Sequence, residues 1–144
     1  MKDHEEIGNC TCLNLRKAAR SVTQYFDEVL RPSGLKATQF SLLAVAKRQG
    51  PIAITELAEA LVVDRTTLTR NLRVLEGKHL VTVSPGEDGR TRLVNITAGG
   101  RGALKKALPL WKKAQSHMVR GLGPPRFGSL LGVLSESVAL SRIE

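Results

Sequence analysis

Two short helical segments with almost nothing between them constrain this chain more than any other feature. Thr55 to Leu61 and Arg65 to Lys78 both carry helical apolar spacing, and only Val62, Val63 and Asp64 separate them. So short a connection makes the helices turn sharply and share one small core, which is helix-turn-helix spacing. In the second segment Leu68, Leu72 and Leu75 recur at helical intervals and form its inward face. Two β-rich runs follow, Leu80 to Ser84 and Arg92 to Ile96, on either side of Pro85-Gly86-Glu87-Asp88-Gly89. They read as a hairpin with a long charged tip. A hairpin directly after a helix-turn-helix is a wing, so the predicted fold is mainly α with a small β wing.

The flanking sequence predicts helices on both sides of this module. Leu15, Ala18, Ala19, Val22, Phe26 and Val29 repeat at helical spacing up to the break at Pro32-Ser33-Gly34. Thr38 is expected to cap a second helix carrying Phe40, Leu43, Ala44 and Ala46, which stops at Gly50-Pro51 before a short extended piece, Ile52 to Ile54. Thr97 is expected to cap a fifth helix running towards Val119, with Pro109 bending or dividing it. After Gly121 to Gly123, Pro124-Pro125 opens a sixth helix with a stripe of Phe127, Leu130, Leu131, Leu134 and Val138. The terminal helices, Thr11 to Leu30 and Pro124 to Ile143, carry apolar faces that the small module cannot cover alone. They are expected to cover each other across a homodimer; the alternative is packing onto their own chain. The domain expectation is one unit, 1–144, with a winged helix-turn-helix core at 38–97 and dimerisation helices at 9–31 and 98–144.

The charge is strongly basic, 22 Lys plus Arg against 13 Asp plus Glu, giving a net charge of +9. Polyanions are therefore the first partners to consider. Aromatic residues make up only 3% of the chain, which argues against a stacking platform for single strands and leaves duplex DNA. Opposite the leucines, the second helix of the pair presents Arg65, Thr66, Thr69, Arg70 and Arg73, with Thr67 and Asn71 on its flanks. Arginine can make bidentate contacts to guanine or hold a phosphate, and Thr and Asn bond base edges or phosphates without filling the groove. Asp64 is placed to cap the helix. The wing adds Arg90 and Arg92, Arg90 being the residue expected in a minor groove. Asp88 is expected to orient the wing, holding an arginine by a charge-assisted hydrogen bond, and it is also a turn former. An ordinary solvated face is the bland alternative for the helix alone; basic residues on two adjacent elements favour DNA.

Other classes find little support. No Ser-His-Asp, paired-carboxylate, P-loop or metal-hydrolase pattern is present, and His4, His79 and His117 sit in unrelated contexts, so no enzyme activity and no cofactor are expected. Cys10 and Cys12 with the distant His4 lack the spacing of a closed zinc site, so no metal is expected. Two cysteines one residue apart do not resemble an extracellular disulfide framework. The N-terminus is polar and acidic and no apolar run spans a bilayer, so a cytoplasmic location without membrane contact is expected.

Ile54-Thr55-Glu56-Leu57-Ala58, then Asp64-Arg65-Thr66-Thr67-Leu68-Thr69-Arg70, Leu75-Glu76, Leu80-Val81, Asp88-Gly89-Arg90 and Ile96-Thr97, in this order and spacing, resemble the MarR family pattern over most of the chain. The resemblance implies a homodimer with interleaved terminal helices. It further implies recognition helices on two half-sites of a pseudo-palindrome, and repression relieved by a small ligand or an oxidant. One departure is His79, where the family usually places glycine; either His79 takes a left-handed cap or Gly77 shifts the helix end. Cys12 falls where the family's organic-hydroperoxide sensors carry their reactive cysteine, with Arg16 one turn on, although Phe26 and Ala37 stand where those sensors have tyrosines. Cys12 and Cys10 are thus candidate redox sensors, with packing near the dimer interface as the alternative. Trp111 and Tyr25 are candidates to line a pocket for a small aromatic or phenolic effector, core packing being the alternative. A winged module for protein contacts or general DNA coating is the competing function.

Overall fold

The computed structural model describes residues 2–143. Its elements are α1 (Lys2–Gly8), α2 (Thr11–Leu30), α3 (Ala37–Gln49), β1 (Ile52–Ala53), α4 (Ile54–Leu61), α5 (Arg65–Gly77), β2 (Val81–Pro85), β3 (Arg92–Ile96), α6 (Ala98–Leu122) and α7 (Pro124–Leu140), with a single 3-10 turn at Arg31–Ser33. The three strands form an antiparallel sheet in the order β1-β3-β2. Ile52 pairs with Val94, and Val81 with Ile96, so the extended piece ahead of the helix pair is the third strand of the wing sheet. The expected fold, mainly helical with a small wing, is the observed one.

The core lies where α3, α4, α5 and the sheet meet. Leu43, Leu57, Leu68, Leu72, Leu75 and Val94 are essentially inaccessible to solvent, so the three leucines of α5 pin that helix and leave its other face free. Between α4 and α5 the chain turns through Val62 in a left-handed conformation, φ 53°, and Val63 N–H donates back to the Ala58 carbonyl at 3.0 Å. A β-branched residue is a strained choice there, and Val62 is 65% exposed, so its side chain gains little packing in return.

The end of α5 repeats this device. His79 has φ 59°, its N–H donates to the Glu76 carbonyl at 2.9 Å, and Leu80 N–H donates to the Leu75 carbonyl at 3.0 Å, the paired bonds of a Schellman cap. The left-handed alternative for His79 is therefore the one adopted. Thr97 then fastens the start of α6 to this corner. Its hydroxyl donates to the His79 carbonyl at 2.7 Å and accepts from Gly100 N–H at 3.0 Å, while its own N–H donates to the Leu80 carbonyl at 3.1 Å. Gly100 is confined by the approach: a Cβ there would collide with the Leu80 carbonyl oxygen and sit 2.6 Å from Ile96 Cγ1.

Several sequence expectations need correction. Thr38 does not cap α3; Lys36 is the N-cap, Gln39 Oε1 accepts from its N–H at 3.0 Å, and Asp27 reaches across from α2 to accept from Ala37 N–H at 2.7 Å. That long-range partner could not be read locally. Pro109 does not divide α6, which continues as one helix for 25 residues. Pro109 is exposed, so the carbonyl it leaves unbonded is not sealed from water. The N-terminal segment forms the exposed helix α1, for which no element was expected, and α7 ends at Leu140 rather than Ile143.

Gly100→Ala is expected to lower the unfolding free energy by about 2 kcal/mol through overpacking against Leu80 and Ile96. His79→Gly is expected to raise it by about 1 kcal/mol by relieving the left-handed residue. Urea denaturation of both variants beside the parent chain checks the pair.

Candidate nucleic-acid interface

Asp64 sets the start of α5. Its carboxylate accepts from Thr67 N–H at 2.9 Å and from the Thr67 hydroxyl at 2.6 Å, closing the first turn. The remaining free N–H groups of that turn point along the positive end of the helix. From there Arg65, Thr66, Thr69, Arg70 and Arg73 line one shallow hollow on the outer face of α5. Among the described residues the only ion pair is Arg31 with Glu28, so none of these arginines is neutralised by a neighbouring carboxylate. A hollow of unpaired guanidinium groups and short hydroxyls is suited to an anionic, hydrogen-bonding surface.

Thr67 and Asn71 do not belong to that hollow. The Thr67 hydroxyl is committed to Asp64, and Asn71 turns to the other side of α5, lining a cavity with Leu68, Leu61 and Val63. Thr67 is thus part of the cap and Asn71 part of an inner wall.

The wing is organised by Asp88. One carboxylate oxygen accepts from the N–H groups of Arg90 (3.0 Å) and Thr91 (2.8 Å), and the other accepts from the Thr91 hydroxyl at 2.8 Å. Gly89 at φ 71° completes the turn, and Gly86 N–H donates to the Thr91 carbonyl at 2.6 Å. Asp88 holds the backbone of the tip; the arginine side chain assigned to it is not its partner. Arg90 is left exposed at the tip and Arg92 opposite Pro85 at its base. Arg92 shares the face of β3 that carries Val94 and Ile96, beyond the core.

Cys10 and Cys12 are both exposed at the start of α2, Cys10 being its N-cap residue. No cluster of three or more His, Cys, Asp or Glu side chains suited to a metal is found among the described residues. Among the described residues no helix is long and apolar enough to cross a membrane. Trp111 lines a cavity with Val22, Phe26 and Phe40, whereas Tyr25 stands outside it, its ring 4.9 Å from that of His117. This cavity and the one walled by Asn71 share Thr23, Ala37 and Ser41, and together they make a cleft from Trp111 to the recognition helix with no charged residue in its lining. The hydroxyls of Thr23, Thr38 and Ser41 escaped the sequence reading because single small polar residues on helices look like surface until α2 is packed on α3.

Residues 35–91 match the MarR family. The M. tuberculosis transcriptional regulator MosR, solved in complex with DNA, superposes with a TM-score of 0.83 at 42% identity, covering 93% of this chain and 99% of that one. The chain belongs to the MarR family. YwoH of Bacillus subtilis, named an HTH-type transcriptional regulator, is 34% identical over 83 residues, 58% of this chain and 61% of its own length. NicR of Pseudomonas putida, named an HTH-type transcriptional repressor, is 30% identical over 106 residues, 73% of this chain and 65% of its own. The chain therefore spans just under two thirds of the length of these two curated relatives. These relatives are named as regulators of transcription, not enzymes.

Hydrogen bonds from Thr67 hold the Asp64 carboxyl below its usual 3.8, and bonds from Thr91 and then Arg90 do the same for Asp88. A depressed folded value means that this contribution to stability is complete above pH 3.8 and is lost as pH falls through the lower folded values. The double variant Asp64→Asn/Asp88→Asn should therefore gain stability relative to the parent chain between pH 7 and pH 3. Urea denaturation at both pH values reads the difference.

Proposed function

We propose that this MarR-family chain is a homodimeric repressor that reads a pseudo-palindromic operator with α5 in successive major grooves and the wing in the flanking minor grooves. The observation that carries the reading is the hollow of Arg65, Thr66, Thr69, Arg70 and Arg73, unpaired with any acid among the described residues and accompanied by a wing whose tip is held by Asp88. The dimer is supported by α7, which buries no residue against its own chain and exposes Leu131 and Val133 at 50% and 58%. Helices α2, α6 and α7 are the proposed dimerisation elements, and 38–97 the proposed reading core. Repression is supported by the likeness to NicR.

Fluorescence anisotropy against a palindromic fragment from beside the chain's own gene, with a scrambled control and a salt series, tests this reading. Arg70→Ala is expected to weaken native-fragment binding by about tenfold or more while affecting the scrambled duplex much less. Equal losses on both duplexes would replace operator reading with general DNA coating, and no loss on either would favour protein contacts.

Two release routes follow. The uncharged cleft between Trp111 and Asn71 suits a small phenolic effector, its ring among apolar walls and its hydroxyl meeting Thr23, Thr38 or Ser41. The exposure of Cys12 and Cys10 supports a second route, in which a hydroperoxide oxidises a thiol to the sulfenic acid and is itself reduced to the alcohol. Cumene hydroperoxide is then expected to abolish operator binding, dithiothreitol to restore it, and Cys12→Ser to bind regardless of oxidant; unchanged binding of the oxidised parent chain would remove this route.

A further inference from the structure

A slot of about 410 Å³ lies between the C-terminal half of α3 and the first half of α6, on the other side of Phe40 from the uncharged cleft. Phe40 and Ala44 form one wall and Leu104 and Leu108 the other, and the rim carries Lys47, Arg101 and Lys105. Phe40 stacks on Trp111, centroids 5.8 Å apart and planes 12° from parallel, while Lys47 shares the slot with Arg101. The two helices therefore pass in opposite directions. That arrangement sorts the slot by polarity, apolar at the Phe40 and Leu108 end and cationic at the Lys47 and Arg101 end. From Phe40 to Lys47 the helix rises about 10 Å.

The cations have no internal counter-charge. Neither α3 nor α6 contains an aspartate or glutamate, and no acid occurs anywhere between Gly89 and Ser135. None of the three takes part in an ion pair among the described residues. Three like charges around an apolar slot repel one another and are relieved by an anion whose remainder is apolar.

We propose that this slot binds a medium-chain acyl carboxylate, its chain between Phe40, Ala44, Leu104 and Leu108 and its head group on Lys47 and Arg101, with Lys105 over the open side. The length of the slot matches a chain of about eight carbons. A carboxylate is disfavoured in the uncharged cleft, whose lining offers hydroxyls but no cation to offset the desolvation of a full charge, so the two cavities take different ligands. This site goes beyond the reading of the protein as an operator-binding repressor, and its test needs no DNA.

The full chain contains one tryptophan, and that residue stacks on a wall of the slot. Titration with sodium octanoate, which does not absorb in the tryptophan band, is expected to give a saturable change in Trp111 fluorescence. Each methylene removed, through hexanoate to butanoate, should weaken binding about fourfold. Octanamide, the neutral analogue, should bind at least tenfold more weakly. The double variant Lys47→Met/Arg101→Met should lose the preference for octanoate over octanamide, and Ala44→Phe, which fills the slot alone, should lose both ligands. The proposal is overturned if octanoate gives no saturable change, if octanamide binds equally well, or if the double variant keeps the preference for octanoate over octanamide. That variant alters only exposed side chains, so its fold, checked by circular dichroism, does not depend on the slot.

Discussion

Helix α5 is held at its far end by a corner of four residues, and the arrangement of the rest follows from it. His79 reverses the chain after α5, its carbonyl receives the Thr97 hydroxyl, and the Leu80 carbonyl receives Thr97 N–H. The same hydroxyl accepts from Gly100 N–H, so one threonine joins the end of the reading helix, the start of the wing and the start of α6. Gly100 makes the joint possible by letting backbone meet backbone. Any change in the direction of α6 is therefore felt at the end of α5, which makes this corner the natural place for the terminal helices and the reading module to influence each other.

Electrostatics divides the molecule as sharply as packing does. The acids are concentrated before Gly89, and two of those on α5 and the wing are spent on backbone: Asp64 on the first turn of α5, Asp88 on the wing tip. Each is charged and yet local, engaged in two or three hydrogen bonds with its own turn, and it builds the scaffold without pairing the arginines beside it. A carboxylate that had instead captured Arg70 or Arg90 would have competed with phosphate for the same guanidinium.

Elements fixed by local pattern were legible in the sequence. The leucine spacing of α5, the three-residue connection before it and the alternation of β2 and β3 determine the module, and the outer arc of α5 follows by exclusion. What was not legible depends on partners distant in the chain. The start of α3 is decided by Asp27 on the preceding helix, so the local signal at Thr38 misled. Asn71 lies at the edge of the arc, and only the cavity between α3 and α5 shows that it turns inward. Pro109 reads as a break because proline removes a donor, but at an exposed position in a helix packed along α2 and α3 that loss is tolerated. The cationic slot is the extreme case, since Lys47 and Arg101 lie far apart in sequence and meet only when two helices run antiparallel.

The two cavities share Phe40, and this makes them unequal as points of control. A ligand in the uncharged cleft touches Leu68 and Asn71 and so bears on the recognition helix directly. A ligand in the slot touches only α3 and α6, and its influence has to pass through the corner at Thr97. A ligand moves an equilibrium only by its difference in affinity for the two states. For the cleft that difference arises from any displacement of α5 relative to α3. For the slot it arises only from a sliding or rotation of α6 along α3, and the Phe40–Trp111 stack, nearly parallel and directly behind the apolar end, is the contact such a motion would disturb first.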